Sequence, residues 1–121
     1  IREYAAALDR YELGFPKGLI EQDEQPVQAA NHELMEEIGY GARKLTALTR
    51  VSLAPGYLAH QTSIILAEDL YPERHDGDEP EPLELVPWPI ADVAELLQRD
   101  DFSEARSIAA LFLSLQHLSP R

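Results

Sequence analysis

The chain contains no cysteine among its 121 residues, so no disulfide framework can support it. No run of 18 apolar residues occurs, and a membrane-spanning helix is therefore not expected. Basic side chains are scarce: 10 Lys and Arg stand against 22 Asp and Glu, a formal charge of −12. A surface this negative repels polyanions, which disfavours binding to DNA or RNA. With no basic tract and no leader, a reducing cytoplasm is the default compartment. The sequence starts at Ile1 with no initiator Met and with a strand pattern already under way. The expectation is that residues 1–121 are one domain, the C-terminal portion of a longer chain whose N-terminal strands are missing here.

What is present is organised around residues 18–40, GLIEQDEQPVQAANHELMEEIGY. Pro26 suits the first turn of a helix, where its missing N–H is not needed. Gly39 suits the left-handed residue that ends one. On a helical wheel Val27, Ala30, Leu34 and Ile38 fall on one stripe, read here as core, while Glu33, Glu36 and Glu37 occupy about 100° of arc beside it. Three carboxylates at i, i+3 and i+4 repel one another by a few tenths of a kcal/mol per pair. A bound divalent cation removes that cost, and hard oxygen ligands of this kind suit Mg²⁺ or Mn²⁺ beside substrate phosphates. A merely solvated acidic face is the plain alternative for the glutamates taken alone.

The spacing is more specific than the glutamates. Gly18, Glu24, Glu33, Glu36, Glu37 and Gly39 stand in a fixed register that chance would produce with a probability of roughly 10⁻⁷ per window. The pattern resembles the Nudix box, the loop-helix-loop signature of hydrolases that cleave nucleoside diphosphates linked to another group. Further stretches, YELGFPKGLI, DLYPERHDGDEPEPLELVPWP and DFSEARSIAALFL, resemble a bacterial branch of the ADP-ribose pyrophosphatase group, so the likeness runs along most of the chain.

That resemblance implies an α/β fold, an α/β/α sandwich with a mixed sheet, and Mg²⁺-dependent hydrolysis of ADP-ribose, diadenosine polyphosphates or NADH to release AMP, by a homodimer. It implies metal ligation by Glu33, Glu36 and Glu37, by the main-chain carbonyl of Lys17 and by Glu81, with Glu79 as general base and Glu36 also in the catalytic set. Arg2 is a candidate to brace a phosphate or, equally, an exposed strand-edge charge, and Tyr57, in the APGY turn, is a candidate to stack on adenine or, equally, a turn aromatic covering core. The loop carrying Asp78, Glu79, Glu81 and Glu84 reads equally as a solvated acidic segment. His60 stands where relatives carry a carboxylate, and reads as a loop residue before a catalytic one. His32 replaces the arginine that normally precedes the first catalytic glutamate, and a partly charged imidazole implies weaker or more pH-dependent activity. A non-catalytic module that binds an ADP-containing ligand or a protein partner is the rival reading.

The remaining chain predicts scaffold. Residues 1–7 read as a buried strand and 11–15 as a second. Residues 44–54 alternate as a half-buried strand. Residues 61–70, apolar on both faces, read as an interior strand. A short closing strand is expected at 85–88, with Trp88 in the core. Helices are expected at 91–98 and 103–118, the second capped by Ser103 and burying Ile108, Leu111, Phe112 and Leu115. Arg10 and Arg50 join Arg2 and Lys17 as cations placed to offset the negative charge.

Overall fold

The computed structural model describes residues 1–77 and 83–119. The alternating patterns produce two antiparallel ribbons. β1 (Arg2–Ala5) pairs with β2 (Arg10–Leu13), with Arg2 opposite Leu13 and Ala5 opposite Arg10. The turn closes with Asp9 in the left-handed region, at φ 53°, a conformation Asp tolerates. β3 (Tyr40–Ser52) pairs with β4 (Gln61–Pro72), and the register slips between Ala47 and Thr49, so that Leu48 forms a bulge. Both ribbons are antiparallel, and the described residues include no parallel pair of the expected mixed sheet.

Three helices cover these ribbons: α1 (Pro26–Glu37), α2 (Val93–Leu97), entered through a 3-10 turn at Ile90–Asp92, and α3 (Ala105–Leu118). α1 and α3 each pack against both β3 and β4. One core joins Leu13, Leu96, Phe102 and Leu111, with Val86, Trp88, Val93, Leu97, Ile108 and Leu115 around them. Trp88 thus belongs to the core, and its indole N–H donates to the Asp92 carbonyl at 2.8 Å. A second buried set, Ala29, Met35, Ala42 and Ile64, comes from α1, β3 and β4.

Four expectations are corrected. The 1–7 segment is a short, half-covered strand: Arg2 shares the face of Tyr4, Glu3 occupies the other, and Tyr4 meets Tyr11 edge-on near solvent. β4 pairs with β3 alone among the described residues, so it is not shown inside a sheet. No strand forms at 85–88: Pro87 and Pro89 lack the N–H a ladder needs, and the nearest pairing is one bridge, Arg2 N–H to the Glu84 carbonyl at 2.9 Å. Phe112 is 55% exposed, leaving Leu111 as the buried residue of that side of α3.

The cap of α3 also differs. Ser103 turns away to bond Glu12, and Glu104 accepts from the N–H groups of Arg106 (2.9 Å) and Ser107 (3.1 Å). The Glu104 carboxylate bonds two orphan donors and faces the positive end of the helix dipole. Ser107, almost fully buried, donates its hydroxyl to Glu104 and accepts from the Phe15 N–H at 3.1 Å. The cap of α3 therefore anchors the loop that leads into residues 18–40.

The chain exposes 8432 Å², against about 6,600 Å² expected for a self-contained fold of its mass. Among the described residues no large side chain is completely buried, and Tyr4, Leu8 and Tyr11 lie open on the first ribbon.

Two outcomes follow from this packing. Phe102, 4% exposed and edge-on to Phe15, should cost about 3 kcal/mol or more when cut to alanine; a urea-unfolding loss below about 1 kcal/mol would contradict its place in the core. Burial of Glu104 by itself raises its pKa, yet the bonds from Arg106 and Ser107 and the Arg106 charge outweigh it and leave the carboxyl below its usual value of 4.5. The native state then holds fewer protons than the unfolded one, so the contribution is complete above that usual value and is lost as pH falls through the lower folded one. Glu104→Ala should cost about 1 kcal/mol at pH 7, and the gap from the parent should close below pH 4.5 in melting experiments.

Candidate active site

α1 begins where Pro26 supplies the first-turn φ and the Gln28 side chain accepts from the Gln25 N–H at 3.2 Å. It ends where Ile38 and Gly39 both donate to the Leu34 carbonyl (2.9 and 3.0 Å) and Gly39 takes φ +74°. The chain passes directly from that turn into β3, which starts four residues earlier than its alternation predicts. Asn31 ties helix to strand, its side-chain oxygen accepting from the Ala42 N–H at 2.9 Å.

The buried residues of α1 are Ala29, Met35 and Glu37, while the expected stripe of Val27, Ala30, Leu34 and Ile38 is half-buried. The helix is covered over a wider arc than one stripe. On one side Met35 and the Tyr71 ring close over Gly41; on the other, the loop before the helix lies against the glutamates.

Gly18 decides that second contact. A Cβ there would stand 2.0 Å from the Glu33 Cδ, so the carboxylate occupies the space a side chain at position 18 would need. Glu37 is 6% exposed. Glu36 is half-buried. Glu33, Glu36 and Glu37 thus share an edge, but among the described residues no three carboxylate or imidazole groups converge closely enough to enclose a cation. The donor set fits Mg²⁺ or Mn²⁺ in kind, being hard oxygens beside an open loop. Glu79 and Glu81, expected as base and ligand, lie outside the described residues.

Of the other expected residues, Lys17 adjoins Gly18 in sequence, its main-chain carbonyl being the expected ligand, and the remainder lie apart from the α1 glutamates. The Lys17 ammonium folds back to the Phe15 carbonyl at 3.3 Å and lines a cavity of about 340 Å³ with Glu3, Glu12 and Glu104. This cavity lies beside the first ribbon and contains none of the α1 glutamates. Arg2 lays its guanidinium over the Tyr11 ring, 5.2 Å from its centre. Arg10 is engaged with Glu12 and the Asp100 carbonyl, whereas Arg50 borders a small groove at the start of α1 with Pro26 and Ser63. Tyr57 is 91% exposed, in a turn where Ala54 has φ 49° and its carbonyl accepts from Tyr57 and Leu58. His60, at the end of that turn, meets Arg106 and Thr62, each at 3.2 Å.

His32 makes a contact with Glu24 at 2.7 Å, and Glu24 accepts at its other oxygen from the Glu21 N–H at 3.0 Å. The residue in the arginine's position therefore holds a glutamate of the box. Sequence reasoning overlooked Asn31, whose signal was a short polar residue in mid-helix. It also overlooked Arg74, which donates to the Glu36 carbonyl from 38 residues away and carries no local signal.

A three-glutamate helix between two glycine-dependent turns, set against a β-ribbon, defines a loop-helix-loop carboxylate scaffold in an α/β fold. The chain belongs to the Nudix family: the NUDIX domain model matches residues 2–112. It is 54% identical over 113 residues to the ADP compounds hydrolase NudE of Escherichia coli K12, covering 93% of this chain and 61% of that protein. It is 30% identical over 113 residues to the ADP-ribose pyrophosphatase of Bacillus subtilis 168, covering 92% of this chain and 61% of that one. A crystal structure of an ADP compounds hydrolase superposes with a TM-score of 0.94 at 52% identity, over 97% of this chain and 63% of its own. The Nudix fold is thereby shown, and the chain spans about three-fifths of the length of these relatives.

Gly18→Ala tests the central contact. Glu33 can swing aside, so melting should change by less than about 1 kcal/mol, while any metal-dependent activity should fall by roughly 10²-fold as the carboxylate is displaced. Unchanged activity would show that the position of Glu33 is immaterial.

Proposed function

We propose that this protein hydrolyses the pyrophosphate bond of ADP-containing compounds such as ADP-ribose, diadenosine polyphosphates or NADH, releasing AMP. The observation that carries the reading is the seating of the Glu33 carboxylate in the hollow of Gly18, beside Glu37, which is buried at the end of the same helix. An acidic face that served only solubility would not be packed in this way. The names of the relatives, an ADP compounds hydrolase and an ADP-ribose pyrophosphatase, support the substrate class.

In this reading Glu33, Glu36 and Glu37 hold Mg²⁺, with Mn²⁺ as a substitute, assisted by Glu81 and the Lys17 carbonyl. When bound, the metal supplies neutralisation of phosphate charge and a lowered pKa for its water. Glu79 takes the proton from the attacking water, Arg2 braces a phosphate after leaving Tyr11, and Tyr57 stacks on the adenine. A partner subunit of a homodimer covers the apolar surface left open on the first ribbon. No described helix is long and apolar enough to cross a membrane, and the cysteine-free sequence suits the cytoplasm.

The test is AMP release from ADP-ribose by the protein at its full natural length, with and without Mg²⁺. Turnover that requires the metal is expected, and Glu37→Gln should reduce it by roughly 10²-fold or more while circular dichroism stays unchanged. Binding of ADP-ribose without turnover would instead establish a non-catalytic ligand-binding module.

A further inference from the structure

The C-terminal end of α1 carries an electrostatic problem. A helix C-terminus has the negative end of the macrodipole and four carbonyls without helical partners. Here it also bears Glu33, Glu36 and Glu37, and no basic residue of its own in the last turn. The like charges and the dipole act in the same sense, to loosen that turn.

The answering charge comes from another element. Residues 73–75, which follow β4, donate one after another to the end of the helix: the Glu73 N–H to the Gly39 carbonyl (3.0 Å), the Arg74 guanidinium to the Glu36 carbonyl (2.8 Å) and the His75 N–H to the Met35 carbonyl (3.0 Å). Arg74 can come this close because position 39 lacks a side chain: a Cβ there would stand 3.3 Å from its Nε. Its bond is charge-assisted, and its charge lies where a helix best accepts a cation.

Resting on the metal-dependent reading above, we infer that Arg74 is a positioning residue that holds the last turn of α1, and with it the carboxylates of Glu36 and Glu37, in a metal-competent arrangement. It touches neither carboxylate in doing so; it acts through the Glu36 main chain. A divalent cation and Arg74 would offset the same accumulation of negative charge, so losing Arg74 would shift more of that burden onto the metal.

The test measures Mn²⁺ binding without substrate, by electron paramagnetic resonance, in the full-length protein and in Arg74→Ala, Arg74→Gln and Arg74→Lys. Arg74→Ala should weaken Mn²⁺ binding by about tenfold or more, the usual scale for residues that orient ligands. Amide exchange at residues 38 and 39 should quicken. At saturating Mn²⁺, kcat should return close to that of the parent with KM unmoved, which a general loss of stability would not produce. Arg74→Lys should recover part of the affinity, having the charge without the fork, and Arg74→Gln serves the same comparison should the alanine variant fold poorly. Equal Mn²⁺ affinity in the parent and in a folded variant without the charge overturns the inference while leaving the hydrolase reading intact. A parent protein that binds no Mn²⁺ overturns both.

Discussion

The constraint on which the structure turns is the concentration of negative charge at one end of one short helix. Glu33, Glu36 and Glu37 lie within two turns, at the end where the backbone dipole is already negative. A helix selected for stability alone would carry lysine there, gaining a few tenths of a kcal/mol per favourable pair instead of losing it. The surrounding structure does not dilute these charges. It packs one against a glycine, buries another, and places an arginine behind the turn.

The rest of the fold can be understood as support for the two turns that flank this helix. The entering loop is fixed from a distance. The Phe15 N–H bonds the hydroxyl of Ser107, which bonds Glu104, which caps α3. Nearby, the Leu13 N–H donates to the Asp101 carbonyl at 2.7 Å, so the segment before α3 also holds the end of β2. Residues some ninety positions away in sequence thus set where Gly18 meets Glu33. The leaving turn is fixed by Gly39 and by residues 73–75, at the far end of β4. α2 and α3 look like passive cover, yet the cap of α3 is part of the frame of the site.

Those parts of this frame that depend on local chemistry were legible in the sequence. Pro26 and Gly39 marked the limits of α1, and the alternation after position 44 marked β3. The glutamate spacing carries the resemblance to the family. Illegible parts were those in which a distant partner decides. Ser103 and Glu104 are both acceptable caps, and Glu12 settles the choice by taking the Ser103 hydroxyl. The stripe on α1 was read from one helical period, whereas the helix is covered on two sides, which brings Ala29 and Met35 inside. Prolines at 87 and 89 were visible, but apolar Leu85, Val86 and Trp88 suggested a strand that the missing N–H groups forbid. The Arg2 guanidinium rests on Tyr11 and Tyr57 is exposed, positions that no local pattern in the sequence marks.

The substitution of the box arginine by His32 shows which part of the motif is geometric and which is electrostatic. An arginine offers a fork of donors and a permanent charge. His32 offers one ring nitrogen, and the structure uses it for one contact, with Glu24 at 2.7 Å. That Nδ1 can donate whether or not the ring is charged, so this hold on Glu24 needs a correctly placed donor more than it needs a full charge. Glu24 in turn uses its second oxygen to close the turn at Glu21, ahead of the helix and away from its crowded C-terminal end. An arginine at position 32 would have added a permanent charge in mid-helix, whereas Arg74 brings one to the end of the helix, at the Glu36 carbonyl. The division of labour explains how the box keeps its shape with a weaker residue at position 32: bracing at one end is a matter of hydrogen-bond geometry, and counter-charge at the other is a matter of electrostatics.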